Sequence, residues 1–215
     1  MTDDQVLPRC ERIATSTWSD ALDELAAEGV AAGISQRSGS GRFAAYAVTA
    51  REVAGPRQAF ARSEFAVGSL IASVGPGQAL IVDARGAPIS TFGGLAALAA
   101  SLSGAAAVVI DGGCRDIEEV RATNLWVASR FVTPLSGKTR IRVESIGEPV
   151  HLGGILVRTG DLIVGDQTGI VIVPRMQIAE VLARAEAIVE KDRMIETALR
   201  AGKSFSEAAT DADYI

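Results

Sequence analysis

The chain has 215 residues, 48% of them hydrophobic, and a formal net charge of −5. That is enough apolar material for one well-buried domain over residues 1–215, with a C-terminal helix at 175–202 and a tail at 206–215. The acidic balance and scattered Lys and Arg argue against a nucleic-acid or anionic-membrane binder, and no apolar run approaches the roughly 20 residues of a membrane span.

The polar start MTDDQVLPRCER carries no export signal. Cys10 and Cys114 have neither disulfide-framework nor zinc spacing, so a reducing cytoplasm is the expected compartment. The single histidine, His151, has no nucleophile spaced around it, which disfavours a Ser-His-Asp triad or a histidine-rich zinc site.

In chain order, Cys10 to Gly29 reads as one helix, with Leu22, Leu25 and Ala26 at helical spacing and Gly29 placed to end it. Ser19 and Asp20 on it are surface groups or line a site. Ser35 to Arg42 reads as a polar loop; its Gly39-Ser40-Gly41 is a partial phosphate-loop pattern, but no clear strand precedes it and no helix follows. Ala45 to Val53 reads as a strand and Phe65 to Ser73 as a short helix ended by Gly75-Pro76-Gly77. Ala79 to Asp83 reads as a strand buried on both faces.

A loop over 84–91 leads to a helix opened at Gly94, with Leu95, Leu98, Ala99 and Leu102 on its apolar face. Ala106 to Asp111 is a second buried strand, followed by a Gly112-Gly113 turn, a short helix near Asp116, and one or two strands in Leu125 to Val132. After Pro149 the short β runs Ile155 to Val157, Leu162 to Val164 and Gly169 to Val173 form a meander. A long helix follows Pro174 and stops at Gly202, and Ser206 to Ile215 is expected to be loosely ordered. The order implies layered helices and sheets and not a regular doubly wound fold.

The chemistry concentrates between Gly93 and Glu119. Gly93-Gly94 opens a helix whose free N–H groups and dipole favour a carboxylate or phosphate. Arg115 has the fork that recognises a carboxylate or steadies an enolate oxygen, with a surface salt bridge as its plainer role. Asp116 and Glu119, spaced i and i+3, share a helix face and suit Mg²⁺ or Mn²⁺. The same spacing is also that of a capping box, which on spacing alone is the stronger reading. Cys114 lies beside them as a small packing residue.

These blocks, taken with Ser19-Asp20-Ala21-Leu22, Pro76-Gly77-Gln78-Ala79-Leu80-Ile81-Val82-Asp83, Asp111-Gly112-Gly113-Cys114-Arg115-Asp116, Gly153-Gly154 and Gly160-Asp161 through Pro174, resemble the RraA-like / class II 4-hydroxy-4-methyl-2-oxoglutarate aldolase superfamily over most of the chain. The resemblance implies an α/β layered fold, an α/β/β/α sandwich of the swivelling β/β/α type, assembled as a homotrimer or a hexamer with sites between subunits. It implies metal-dependent cleavage of a small 2-oxo acid, through a pyruvate enolate, by aldol cleavage or oxaloacetate decarboxylation. Asp116 takes the place of the family's metal ligand, with Glu119 beside it. Arg115 takes that of the pyruvate-facing arginine, and Gly93, Gly94, Leu95 and Ala96 that of the backbone cradle.

This chain has Gly94 where the well-formed aldolases carry an Asp, with an acid at Glu119 instead, so its metal shell should differ. Glu190 or Asp192 of a neighbouring subunit is a candidate for supporting the metal's waters, and Arg62 and Lys138 for reading the distal end of the substrate. The alternative from the same superfamily is a regulator that binds an RNA-degrading enzyme without catalysis. A quinone methyltransferase role has little support, because no strand-linked glycine-rich nucleotide loop is visible.

Overall fold

The structure is a computed structural model that describes residues 3–212. Its centre is one curled nine-stranded mixed sheet. The middle is parallel: β2 (Phe43–Ala54), β3 (Gln78–Asp83), β5 (Ala107–Cys114) and β6 (Trp126–Val132) lie side by side, and β4 (Ser90–Phe92) pairs with the end of β5. Antiparallel strands extend it: β1 (Ser35–Ser38) on β6, β7 (Ile141–Ile146) on the end of β2, and β10 (Leu162–Gly165) with β11 (Ile170–Val173) on its start. A separate hairpin pairs β8 (Val150–Leu152) with β9 (Ile155–Val157).

The period of two along each strand builds three apolar layers. Ala45, Ala47, Ala79, Ile81, Ala107, Val109, Trp126, Ala128, Ile163 and Ile172 point into the curl and meet Val150, Leu152 and Val157 of the hairpin. Their alternates Val48, Ala50, Leu80, Val82, Val108 and Ile110 face α3 (Val67–Ala72), α4 (Gly94–Leu102) and α5 (Ile117–Ala122). At the other end Leu162, Val164, Val171 and Val173 face α1 (Asp3–Glu11), α2 (Thr15–Asp23) and the long α6 (Ile178–Arg200). Helices therefore flank a doubled-over sheet, which is the α/β/β/α layering expected. No helix among the described residues is long and apolar enough to cross a membrane.

Several local expectations are corrected. The single helix over Cys10 to Gly29 is two. The chain is extended at Ala14, which has no capping oxygen, and Asp166, from the β10–β11 turn, takes that place by accepting the Thr15 N–H and hydroxyl at 3.0 and 2.7 Å. The second helix stops at Asp23, and Ala26 has φ of 50°. Ser35 to Ser38 is a strand, leaving only Gly39 to Arg42 as the loop. Gly112 and Gly113 belong to β5 and form no turn; a Cβ on Gly113 would stand 2.7 Å from the Ile89 oxygen, so the strand beside β4 has no room for a side chain there.

On α4 the apolar stripe faces outward. Gly94, Ala97 and Ala100 are buried, while Leu95 is 86%, Leu98 48% and Leu102 80% exposed. Small residues on the inner face let the helix sit close to the sheet. The tail expected to be loose from Ser206 instead forms α7 (Phe205–Asp211), opened by a Ser204–Glu207 capping box and packed through Ala208 and Ala212 on Ile195; residues 213–215 lie outside the described region.

Candidate functional site

The parallel strands β4 and β5 end side by side, and the chain turns from each into the start of a helix. At β4 the turn is Gly93-Gly94 into α4; at β5 it is Arg115-Asp116 into α5. The two turns are tied by the Arg115 N–H, which donates to the Phe92 carbonyl at 2.9 Å. The carboxyl ends of parallel strands are where ligands meet α/β sheets, because helix N-termini converge there.

Asp116 occupies the N-cap position of α5 with φ of 53° and ψ of 51°, a left-handed conformation that a non-glycine residue adopts at a cost. The capping box expected with Glu119 is absent, since the Asp116 side chain makes no cap hydrogen bond. Its carboxylate reaches across to the other helix: Oδ2 accepts the Gly94 N–H at 3.3 Å and lies 3.4 Å from Arg115 Nε. Both side chains stay accessible, at 37% for Arg115 and 40% for Asp116.

Gly94 is held to glycine by the root of a neighbouring side chain, and Gly93 lies against the mobile ends of two others. A Cβ on Gly93 would stand 2.5 Å from Asp116 Oδ2 and 3.2 Å from Arg115 Nε. One on Gly94 would stand 2.6 Å from Glu119 Cβ. Gly93 thus lies against Arg115 and Asp116, and Gly94 against Asp116 and Glu119. Leu95 and Ala96 contribute first-turn N–H groups that have no intrahelical acceptor; the Leu95 side chain itself points to solvent.

The acids fit a hard divalent ion. Asp116 Oδ1 and the exposed Glu119 carboxylate accept no hydrogen bond among the described residues, where no group of three or more His, Cys, Asp or Glu side chains could hold a metal. One or two carboxylates with the remaining positions left to water or substrate is the habit of Mg²⁺ and not of zinc.

The other candidates lie elsewhere. Asp20 and Lys191 border a cleft of about 360 Å³ between α2 and α6, with Asp23 and Glu24. Burial, and then Asp23, Asp192 and Glu24, raise the Asp20 carboxyl. Glu190 pairs with Arg193 at 3.6 Å on α6. Because α6 packs on the β10–β11 end and α4 and α5 on the opposite layer, Glu190 and Asp192 stand apart from Asp116 within one chain. Arg62, opening the 3₁₀ turn Arg62–Phe65, and Lys138, on the 133–140 loop, are both exposed; the two segments meet at Phe65 and Gly137 beside β4, where Gly137 donates to the Ser90 carbonyl at 2.9 Å. The His151 side chain is exposed, while its N–H donates to Asp83 at 3.2 Å. Both cysteines are buried and free; burial pushes the Cys10 thiol up to about 12 and raises Cys114, so neither is an activated nucleophile.

Sequence reasoning passed over one group. Glu52, on β2, is fully buried, and among the described residues its carboxylate is held by the Thr91 hydroxyl alone. Its signal was an acid on the alternating face that carries Val48 and Ala50.

The family model described as RraA-like, Aldolase/RraA, matches residues 15–172. A curated relative from Halalkalibacterium halodurans, named "Putative 4-hydroxy-4-methyl-2-oxoglutarate aldolase", is 34% identical over 125 residues, 58% of this chain and 59% of that protein. The chain spans under three fifths of the length of the first curated relatives it matches. An uncharacterized protein from Pseudomonas syringae has a solved structure that aligns with a TM-score of 0.85 at 30% identity, covering 95% of this chain and 96% of that one. Streptomyces coelicolor RraAS2, described as an unusual member of the RNase ES inhibitor RraA family, shares the fold at 24% identity with a TM-score of 0.78, covering 88% of this chain and 97% of that one.

Proposed function

The chain belongs to the RraA-like family, and from that premise we propose that it is a divalent-metal-dependent lyase that cleaves a small 2-oxo acid to pyruvate. The reading is supported above all by Asp116: a carboxylate in a strained left-handed turn forgoes its own helix cap and reaches toward the Gly94 N–H and Arg115.

The roles follow from what each group presents. The Leu95 and Ala96 N–H groups, at the positive end of α4, hold the substrate carboxylate. Arg115, positioned by its backbone bond to Phe92, sets its guanidinium beside the keto oxygen and stabilises the enolate charge as the C3–C4 bond breaks. Mg²⁺ or Mn²⁺, held by Asp116 with Glu119 alongside, supplies Lewis-acid polarisation of the keto acid when bound. No histidine stands in this group, so protons pass through water. When the C3–C4 bond breaks, the fragment carrying C4 leaves as an oxo acid or as CO₂ and the bonding pair stays on the same pyruvate enolate, so aldol cleavage and oxaloacetate decarboxylation share the site. Arg62 and Lys138, both exposed, are the candidates for reading the distal end of the substrate.

The site is open on one protomer, and Leu95, Leu98 and Leu102 stand exposed next to it. A homo-oligomer, a trimer or a pair of trimers, that covers this face would close the site and bring Glu190 or Asp192 from a neighbour. The test is pyruvate release from a panel of oxo acids with Mg²⁺ or Mn²⁺, with and without EDTA. The expected result is chelator-sensitive turnover that Asp116→Ala abolishes. Turnover indifferent to both would overturn the assignment. No turnover at all, together with a co-purifying RNA-degrading enzyme, would favour the regulatory alternative.

A further inference from the structure

Glu52 sits near the end of β2, at the bulge where that strand meets β7. It has no exposed surface, and its partner is the Thr91 hydroxyl, which donates to Oε2 at 2.5 Å; Oε1 is buried without a partner among the described residues. A buried carboxyl with one hydrogen bond is destabilising relative to an apolar side chain of the same shape, so its presence asks for a purpose.

Thr91 is the middle of β4, a three-residue strand paired with β5 along one edge and joined to Ser136 by a single bridge on the other. On one side Ser90 is tied to the 133–140 loop by the Ser90 N–H to Leu135 O and the Gly137 N–H to Ser90 O, each 2.9 Å. On the other side Phe92 O receives the Arg115 N–H, and Gly93-Gly94 follow directly. So short a strand has few ladder bonds to fix its lateral position. The Glu52–Thr91 bond is a side-chain tie between β4 and β2, two strands that do not pair with each other.

We propose that Glu52 is a positioning residue for the oxo-acid site: through Thr91 it holds β4 in place, and thereby sets the Gly93–Gly94 backbone against Arg115. The inference rests on the lyase reading above.

Other charges around Glu52 are committed elsewhere. Val143 is its β7 partner, so the flanking Arg142 and Glu144 project to the other face, where they pair with Glu64 at 3.8 Å and Arg85 at 3.9 Å. Glu64, in the 3₁₀ turn Arg62–Phe65, also accepts the Ala61 N–H, and the neighbouring Arg51 donates to Pro149 O. Beyond Val67–Ala72 and Gly94–Leu102, which carry no charged side chain, the facing layer is apolar. Burial lifts the Glu52 carboxyl to about 7, so its ionisation is a probe of the tie near neutral pH.

The experiment compares wild type, Thr91→Val, Thr91→Ser and Glu52→Gln by steady-state pyruvate release and by amide NMR of Gly93, Gly94 and Arg115 across about pH 5 to 9. Thr91→Val, which keeps the shape and loses the hydroxyl, should raise KM about tenfold, the effect of one lost hydrogen bond, with kcat changed less. Thr91→Ser, which restores the donor, should return KM to within about twofold of wild type. In wild type the three amides should titrate together with a midpoint near 7, and Glu52→Gln should abolish that step. Wild-type turnover with Thr91→Val unchanged, or amides silent across the range, overturns the tether. Should Thr91→Val not fold, the Glu52→Gln titration decides alone. An inert wild type with coupled amides overturns the lyase reading and supports the tether.

Discussion

Gly94→Ala tests the packing on which the candidate site rests. The added methyl would lie 2.6 Å from Glu119 Cβ and 3.4 Å from its Cγ, where carbon atoms prefer about 3.5–4.0 Å. The obstacle is the root of a side chain on α5 and not its mobile end, so relief requires the two helix starts to move apart. Overpacking of this kind costs ~1–3 kcal/mol. Replacing glycine in a helix returns at most ~1 kcal/mol, and less in the first turn.

The net expectation is a destabilisation of ~1–2 kcal/mol, or a Tm lower by about 2–8 °C for a chain of this size. The assay is urea unfolding followed by circular dichroism, run as a double-mutant cycle with Glu119→Gly, which removes the obstructing Cβ. The pair should couple favourably by at least ~1 kcal/mol. Glu119→Ala, which keeps the Cβ, should not rescue. A Gly94→Ala protein as stable as wild type, or a cycle with no coupling, would show that the two turns are not in contact and would dismantle the site geometry.

Arg115→Lys replaces a planar fork by a point charge and should lower kcat for pyruvate release about 10²-fold or more; near-normal kcat would remove Arg115 from the chemistry. Asp166 is subject to burial, which raises its carboxyl, but the bonds from Thr15, Thr168 and Gly169 outweigh this and hold it below its ordinary value. Its contribution is therefore full above the unfolded pKa of about 3.9 and lost as pH falls through the lower folded value. Urea midpoints should drop more steeply for wild type than for Asp166→Asn below about pH 4. Glu52 has the opposite sign: burial raises it to about 7, so stability declines as pH climbs from about 4.3 toward that value. Glu52→Gln should flatten the decline, and an unchanged slope would refute the buried-acid assignment.

Regular periodicity along the chain was sufficient to locate β2, β3, β5, β6, β10, β11 and α6, because strands buried on both faces and a long amphipathic helix leave their pattern in consecutive residues. Gly94, Arg115, Asp116 and Glu119 also fall in one stretch of sequence, since only α4 and β5 separate the two helix starts that carry them. Tertiary structure decided the rest through contacts between distant residues. Asp166 starts α2 from 151 positions away. The leucines of α4 turn outward while Gly94, Ala97 and Ala100 take the buried face. Asp116 leaves its cap for Gly94, 22 positions earlier. Glu52 meets Thr91 across 39 residues. Spacing along the chain reports a residue's own helix or strand; which distant group fills a cap, or a buried acid's lone pair, depends on how the sheet curls and where its strands end.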